Sequence, residues 1–284
     1  MLKPYYYNSF IILPSQKLTP MLLNSINWTV DPEIFRIGNF AVRWYGLLFA
    51  SAFFFGYLLF LRIFKREGIS VELLDRLTVY TAVGTIIGAR LGHCLFYEPD
   101  YYLSNPIEIL KIWRGGLASH GAAVGILIAL YYYSKSVRRP YLWILDRIVI
   151  AVALGGFFIR MGNLMNSEIY GIETSLPWGF IFSLAGETVP RHPTQIYEGL
   201  SYLAIFGLLY AIYIRQDGKP KEGYMFSIFL ILLWTVRFLI EFIKEDQVDF
   251  EAAMTLNMGQ LLSIPFILVG VALLLWSYKR NRNG

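Results

Sequence analysis

An all-α bundle of about seven membrane-spanning helices is the fold this sequence predicts, with its N-terminus outside and its C-terminus in the cytoplasm. Three observations carry that prediction. Long stretches of the 284-residue chain are almost free of charge. Charged residues make up only 16% of the whole against 56% hydrophobic, where a water-soluble domain carries roughly 25% charged. The basic residues also collect in the segments between alternate apolar runs. A formal net charge of +5 would suit a nucleic-acid binder only if it formed one patch; dispersed loop by loop, it is the charge pattern of membrane topology. Nucleic acid is therefore not an expected partner.

A span needs roughly 20 consecutive apolar residues. Runs at or near that length lie at 42–63, 77–97, 117–135, 141–159, 199–215, 223–242 and 258–278. The first ends in Arg62, Lys65 and Arg66, with Arg76 before the second. The second carries Gly84, Gly88 and Gly92, and the third repeats the spacing with Gly121 and Gly125. Small residues four apart let membrane helices approach closely, so structural packing is their expected use. The third and fourth are short and are parted by Lys135, Arg138 and Arg139. The fifth is followed by Arg215, Lys219 and Lys221, and the last by Lys279, Arg280 and Arg282. Those thirteen basic residues fall after the odd-numbered spans. The alternate loops hold Lys111 and Arg114, and a lone Lys244 among Glu245, Asp246, Asp249 and Glu251. The positive-inside rule then sets the orientation. Lipid leaves unpaired backbone groups unsatisfied, so no open sheet is expected within the spans.

Residues 1–40 are expected to form an extracytoplasmic segment ahead of a single transmembrane domain, 41–280, whose extracytoplasmic loop is 160–198. Residues 1–20 lack the apolar core of a signal peptide and Met21 offers a second start, so they read as an over-called extension without function. The one cysteine, Cys94, excludes an intrachain disulfide and a cysteine-based metal cluster, and it reads as a packing residue.

Charged groups inside a span cost upward of about 3 kcal/mol each and so ask for a reason. Arg90 and His93 lie in the last two turns of span 2, His120 in the first turn of span 3, Arg160 at the end of span 4, and Arg237 and Glu241 at the end of span 6. Alternating directions bring all of them to the outer side. Asp146 and Arg147 sit toward the other end of span 4 and read as structural. The loop 160–198 is rich in amides and glycine, the residue types of donor-presenting turns. No His-x-x-x-His pair, phosphate-binding loop or nucleophile elbow occurs, so no metal and no cofactor is expected. Several arginines at the outer leaflet fit a phosphate or carboxylate, and the abundant phosphate there is a phospholipid head group. A transporter for an anionic lipid or solute would suit intramembrane arginines equally, although no internal repeat is evident.

The same residues resemble the prolipoprotein diacylglyceryl transferase family. Its signature G-R-x-G-N-F-x-N-x-E-x-x-G is met by Arg160, Gly162, Asn163, Asn166, Glu168 and Gly171, with Ile159 and Leu164 departing from it. Arg43-Trp44-Tyr45-Gly46, Gly115-Gly116 followed by His120-Gly121, His192-Pro193-Thr194-Gln195 with Tyr197-Glu198, and Arg237 with Glu241-Phe242 are similar to further motifs of that family. Leu233 stands where the family often has tyrosine. The likeness covers about residues 40–280.

The resemblance implies that a lipobox cysteine of a prolipoprotein signal peptide attacks phosphatidylglycerol in the bacterial cytoplasmic (inner) membrane, forming a thioether and releasing glycerol 1-phosphate. A thiol with a pKa near 8.5 needs a base, and the departing phosphate needs fixed cations. His120 is the expected base, the alternative being a structural His120 with an arginine field lowering the thiol's pKa, and Arg160 and Arg237 are expected to clamp the phosphate. Tyr45, Asn163, Asn166, Glu168, Gly171, Gln195 and Glu241 are the expected substrate-binding and orienting residues.

Overall fold

The structure, a computed structural model, describes residues 25–38, 40–245 and 254–280. Three strands come first, β1 (Ile26–Trp28), β2 (Glu33–Ile37) and β3 (Phe40–Arg43), and the helices α1 (Trp44–Arg66) and α2 (Val71–Phe96) follow. A short α3 (Pro99–Ser104) and two 3-10 turns lead to α4 (Ser119–Ser136) and α5 (Tyr141–Met165). Strand β4 (Phe180–Phe182) precedes α6 (Thr194–Arg215), α7 (Tyr224–Ile240) and α8 (Met258–Arg280). Each of the seven expected spans coincides with a long helix. Six of these helices are long and apolar enough to cross a bilayer, all except α4. With 18 residues that include three serines, His120 and three consecutive tyrosines, α4 is the least apolar.

Helix ends depart from the apolar runs in a consistent way. Apolarity marks contact with lipid, whereas backbone hydrogen bonding continues wherever polar side chains find partners. Helix α2 therefore starts at Val71 rather than 77, α5 runs on to Met165 rather than 159, and α6 starts at Thr194 rather than 199. The expected loop 160–198 loses residues to helices at both ends. Pro265 sits inside α8, a position tolerated where neighbouring helices satisfy the freed carbonyl.

The glycine pattern does what its spacing implies. A methyl group at Gly84 would lie 2.6 Å from Ala129 Cβ, and one at Gly92 would lie 2.6 Å from Gly121 Cα. At Gly88, Gly121 and Gly125 it would run into backbone of the facing helix. Helices α2 and α4 thus touch backbone to backbone, and this contact holds α4 in the bundle. At the end rich in basic residues, Asp146 caps α7 by accepting from Gly223 N at 2.7 Å and Phe226 N at 2.9 Å. Arg147 donates to Glu67 Oε1 at 2.7 Å, and the Tyr213 hydroxyl donates to the same oxygen at 2.8 Å. These groups tie α1, α5, α6 and α7 together around a core that includes Phe64, Ile150, Leu209 and Met225. Large apolar side chains such as Phe54, Val79 and Leu268 stay exposed on the helices, as a lipid-facing surface requires.

The opposite end carries four short strands that the all-helical expectation does not contain. Strand β1 pairs in parallel with β4, Ile26 opposite Phe180 and Trp28 opposite Phe182. Strands β2 and β3 form a hairpin that feeds directly into α1. They lie beyond the helix ends, where lipid does not constrain backbone pairing. Trp28 donates from Nε1 to Leu164 O at 3.1 Å, fastening this cap to the end of α5. The expectation for residues 1–20 lies outside the described residues.

Candidate active site

At the capped end of the bundle, α5 and α6 turn polar residues toward each other. Arg160 Nε lies 2.7 Å from Glu198 Oε2, and Arg160 Nη1 donates to Asn163 Oδ1 at 3.1 Å. Glu198 is fully buried. Its other oxygen lies 3.3 Å from Lys244 Nζ, and that ammonium lies 3.2 Å from Glu241 Oε1. Arg237 Nη2 approaches the same Glu241 oxygen at 3.5 Å. Five side chains from α5, α6, α7 and the turn after α7 thus make one line: Arg160, Glu198, Lys244, Glu241, Arg237. The line holds three cations to two carboxylates. Asn257, just ahead of α8, adds a donor to Glu241 Oε2 at 3.3 Å.

The two arginines differ in how fully they are used. Arg160 is engaged by a carboxylate and an amide. Arg237 makes only a long contact with Glu241, rests over the Trp234 ring at 5.7 Å, and its buried Nε has no hydrogen-bond partner among the described residues. Trp234 is itself stacked on Phe266 of α8, 4.3 Å between ring centres, so the guanidinium has a firm apolar support beside Leu233.

Beyond Asn163 the polar line continues. Asn163 Nδ2 donates to Glu168 Oε1 at 2.8 Å, and Asn166 Nδ2 reaches the same oxygen at 3.4 Å. Glu168 sits in a turn where Ser167 has φ 52° and Ile169 has φ 61°. Non-glycine residues there cost about 1–3 kcal/mol each and persist only where the surroundings hold them. Fully buried Thr194 and Gln195 do the holding: Thr194 Oγ1 donates to Ile169 O at 2.9 Å and Gln195 Nε2 to Glu168 O at 2.7 Å. Gly171 comes next, with its N–H donating to His192 O at 2.8 Å and a bridge to Lys244. A methyl group there would lie 2.8 Å from both His192 Cβ and Thr194 Cγ2 and would overlap Ile243 O. Only glycine lets these three segments cross, and the crossing delivers Lys244 to its carboxylates.

Tyr45, in the first turn of α1, lays its ring on Gly162, where an added methyl would lie 2.8 Å from Cδ2. With Arg43, Leu47 and Asn166 it borders an open cleft of about 480 Å³ beside the polar line. His192 places Nδ1 3.3 Å from the Tyr197 hydroxyl, which accepts from Trp178 Nε1 at 2.9 Å. Burial holds the His192 imidazole below its ordinary pKa, so it is neutral at pH 7. The Tyr170 hydroxyl donates to Glu187 at 2.7 Å and is pushed up to about 12, by burial first and by Glu187 next. Arg191 bridges Glu187 and Glu245 at 2.9 and 3.3 Å, tying the cap to the segment that carries Lys244.

The structure therefore gathers Arg160, Asn163, Asn166, Glu168, Gly171, Gln195, Tyr45, Arg237 and Glu241 around one polar line and its flanks. His120 stands outside it, exposed in the first turn of α4. Among the described residues no hydrogen bond or ion pair joins His120 to the line, because α4 runs along α2 rather than along α6 or α7. Two members of the line had not been singled out as site residues. Glu198 closes a motif already visible in the sequence, so its position was a usable signal. Lys244 reads as a solvated charge in an acidic loop, and only its burial shows otherwise.

Comparison with known proteins shows what the whole chain is similar to. Residues 32–276 match the family model described as prolipoprotein diacylglyceryl transferase. A protein of Tolumonas auensis named phosphatidylglycerol–prolipoprotein diacylglyceryl transferase is 47% identical over 255 residues, covering 89% of this chain and 98% of that protein. Proteins with the same name from Chloroherpeton thalassium and Bacteroides fragilis are 45% and 40% identical, covering 90% and 92% of this chain and 95% and 98% of theirs.

Proposed function

The chain belongs to the prolipoprotein diacylglyceryl transferase family, and from that premise we propose that its buried polar line is the place of diacylglyceryl transfer. The substrates are phosphatidylglycerol and a prolipoprotein carrying a lipobox cysteine. The thiolate sulfur forms a bond to the glycerol carbon, the bond from that carbon to the phosphate oxygen breaks, and the electron pair stays on the leaving glycerol 1-phosphate. The thiol proton goes to a base, for which His120 is the candidate. The phosphate goes from one negative charge toward two as the bond breaks, so fixed donors aimed at it lower the barrier more than they lower the ground state.

The observation that carries this reading is the contrast between the two arginines. Arg160 lies against Glu198 at 2.7 Å and donates to Asn163 at 3.1 Å. Arg237, with a buried and unpartnered Nε, has a fork of donors available for a phosphate. Glu241 and Glu198 orient the guanidinium groups, Asn163 and Glu168 extend that support toward Tyr45, and the cleft beside Tyr45 suits a head group. Gln195 and Gly171 act through the backbone turn that carries Glu168. For His120 the support is its place in the family motif; in the proposed mechanism the lipobox thiol comes to it at the start of α4.

We further place the protein in the bacterial inner membrane, with the capped end and the polar line facing away from the cytoplasm. The basic residues at the other end support that orientation. The test of the reaction is transfer from radiolabelled phosphatidylglycerol to a synthetic lipobox peptide in vesicles holding the purified protein. A thioether product is expected, and a protein that moves the lipid between leaflets without modifying the peptide overturns the reading.

A further inference from the structure

Arg90 and His93 take no part in the polar line, and their surroundings are unusual for a membrane helix. Arg90 is 3% exposed in the penultimate turn of α2. Its Nε donates to Ile109 O at 2.8 Å and Nη2 to Glu108 O at 2.5 Å, while Nη1 donates to Gly115 O at 2.5 Å and Gly116 O at 3.2 Å. Its carbon also lies 4.9 Å from the centre of the Tyr102 ring. All three nitrogens are thus used on backbone carbonyls of a single segment, 108–116, with no carboxylate among those partners.

Within that segment Lys111 pairs with Glu108. Its backbone hydrogen bonds are local turns, from Glu108 N to Asn105 O, Lys111 N to Glu108 O, and Gly115 N to Ile112 O. Ile107, Leu110 and Trp113 are 68%, 71% and 75% exposed, so they do not anchor it to the protein core. Gly115 and Gly116 take φ of 85° and 72°, which turns their carbonyls onto the guanidinium. A methyl group at Gly116 would lie 2.6 Å from His93 Nε2 and 2.8 Å from Arg90 Nη1. Two residues later Ala118 N donates to Ala89 O at 2.9 Å, and α4 begins at Ser119 with His120 next to it.

We propose that Arg90 is a positioning residue for the transfer reaction, its guanidinium holding the 108–116 backbone against α2 and so fixing where α4 begins and where His120 stands. This rests on the reading that His120 takes part in transfer. Nothing requires Arg90 to touch either substrate, since its donors are spent on carbonyls.

The test uses the full-length protein in phosphatidylglycerol-containing nanodiscs and reads two quantities, amide hydrogen exchange along the chain and the kcat and KM for transfer to a lipobox peptide. In Arg90→Gln, exchange should rise about tenfold or more within 105–118 and stay unchanged in the long helices. Turnover should fall about tenfold while the KM for phosphatidylglycerol stays within about twofold. Arg90→Lys, which keeps the charge but not the fork, should restore part of both. Gly116→Ala leaves Arg90 in place yet disturbs the same joint, and it should give the same paired change; it keeps the test alive if Arg90→Gln does not fold. Unchanged exchange in 105–118, exchange raised throughout the bundle, or a raised KM with kcat kept would each overturn the proposal. His120→Ala is read separately: full turnover there removes the role given to His120 and leaves the tether to be judged on the Arg90 and Gly116 variants.

Discussion

Arg237 carries a buried Nε with no hydrogen-bond partner among the described residues, and its use is testable. Arg237→Lys keeps a cation near Glu241 but replaces a planar fork by a point charge. We expect kcat/KM for transfer to fall about 100-fold, the size of losing a preorganised donor at a developing charge, with little loss of thermal stability because the Glu241 contact is already long at 3.5 Å. A fully active variant would remove Arg237 from the clamp. His192 gives a second prediction, with a sign. Burial lowers its folded-state pKa below the ordinary 6.5, so the unfolded chain takes up the proton first. Its contribution to stability is complete above pH 6.5 and is lost as pH falls through the folded value. The melting temperature should therefore drop between pH 7 and pH 5, and His192→Gln should flatten that drop. At this scale the motif arginines, amides and carboxylates were legible in the sequence because expensive charges in apolar helices stand out. Lys244 was not, since its neighbours Glu245 and Asp246 make it look solvated.

Among the elements, the contact between α2 and α4 and the line joining α5, α6 and α7 carry the most consequence. A methyl at Gly88 meets backbone of α4 with no flexible side chain to move aside, so Gly88→Ala should destabilise the protein by about 1–3 kcal/mol, the usual cost of overpacking, read as a lowered melting temperature in detergent. Lys244→Met should cost more, about 3–5 kcal/mol, because it leaves two buried carboxylates sharing one compensating charge fewer. Its melting curve against that of the parent protein measures this, and an unshifted curve would mean that the ammonium is not shared as its 3.2 and 3.3 Å contacts imply. Spacing announced that both helices pack closely, since glycines four apart have one common use in a membrane helix, but only the structure shows that they face each other. The second was hidden, because Glu198 and Lys244 are 46 residues apart and no local period relates them. Strands β1 and β4 were hidden for a related reason: three residues each, they pair across the chain, Ile26 opposite Phe180, while β2 and β3 form a short local hairpin.

For the whole molecule, the asymmetry of charge between the two ends predicts its orientation. Cys94 is buried, so an introduced cysteine can be read against a quiet background. Thr188→Cys, on the exposed cap, should react with a membrane-impermeant maleimide in intact spheroplasts, whereas Ser136→Cys should react only after permeabilisation; the reverse pattern would invert the topology. Composition and the period of small and charged residues by themselves determined that the chain is a helical membrane bundle, where its helices run, which of them carry glycines for close packing, and which polar residues needed explaining. They do so because lipid offers one solvent and few solutions for the backbone. Tertiary structure alone decided that α5 and α6 continue past their apolar runs, that one lysine joins two glutamates, that the buried Arg237 Nε has no partner among the described residues, and that Arg90 is spent on a loop. Each of these depends on a partner distant in sequence, and burial and pairing are properties of the folded neighbourhood rather than of the residue.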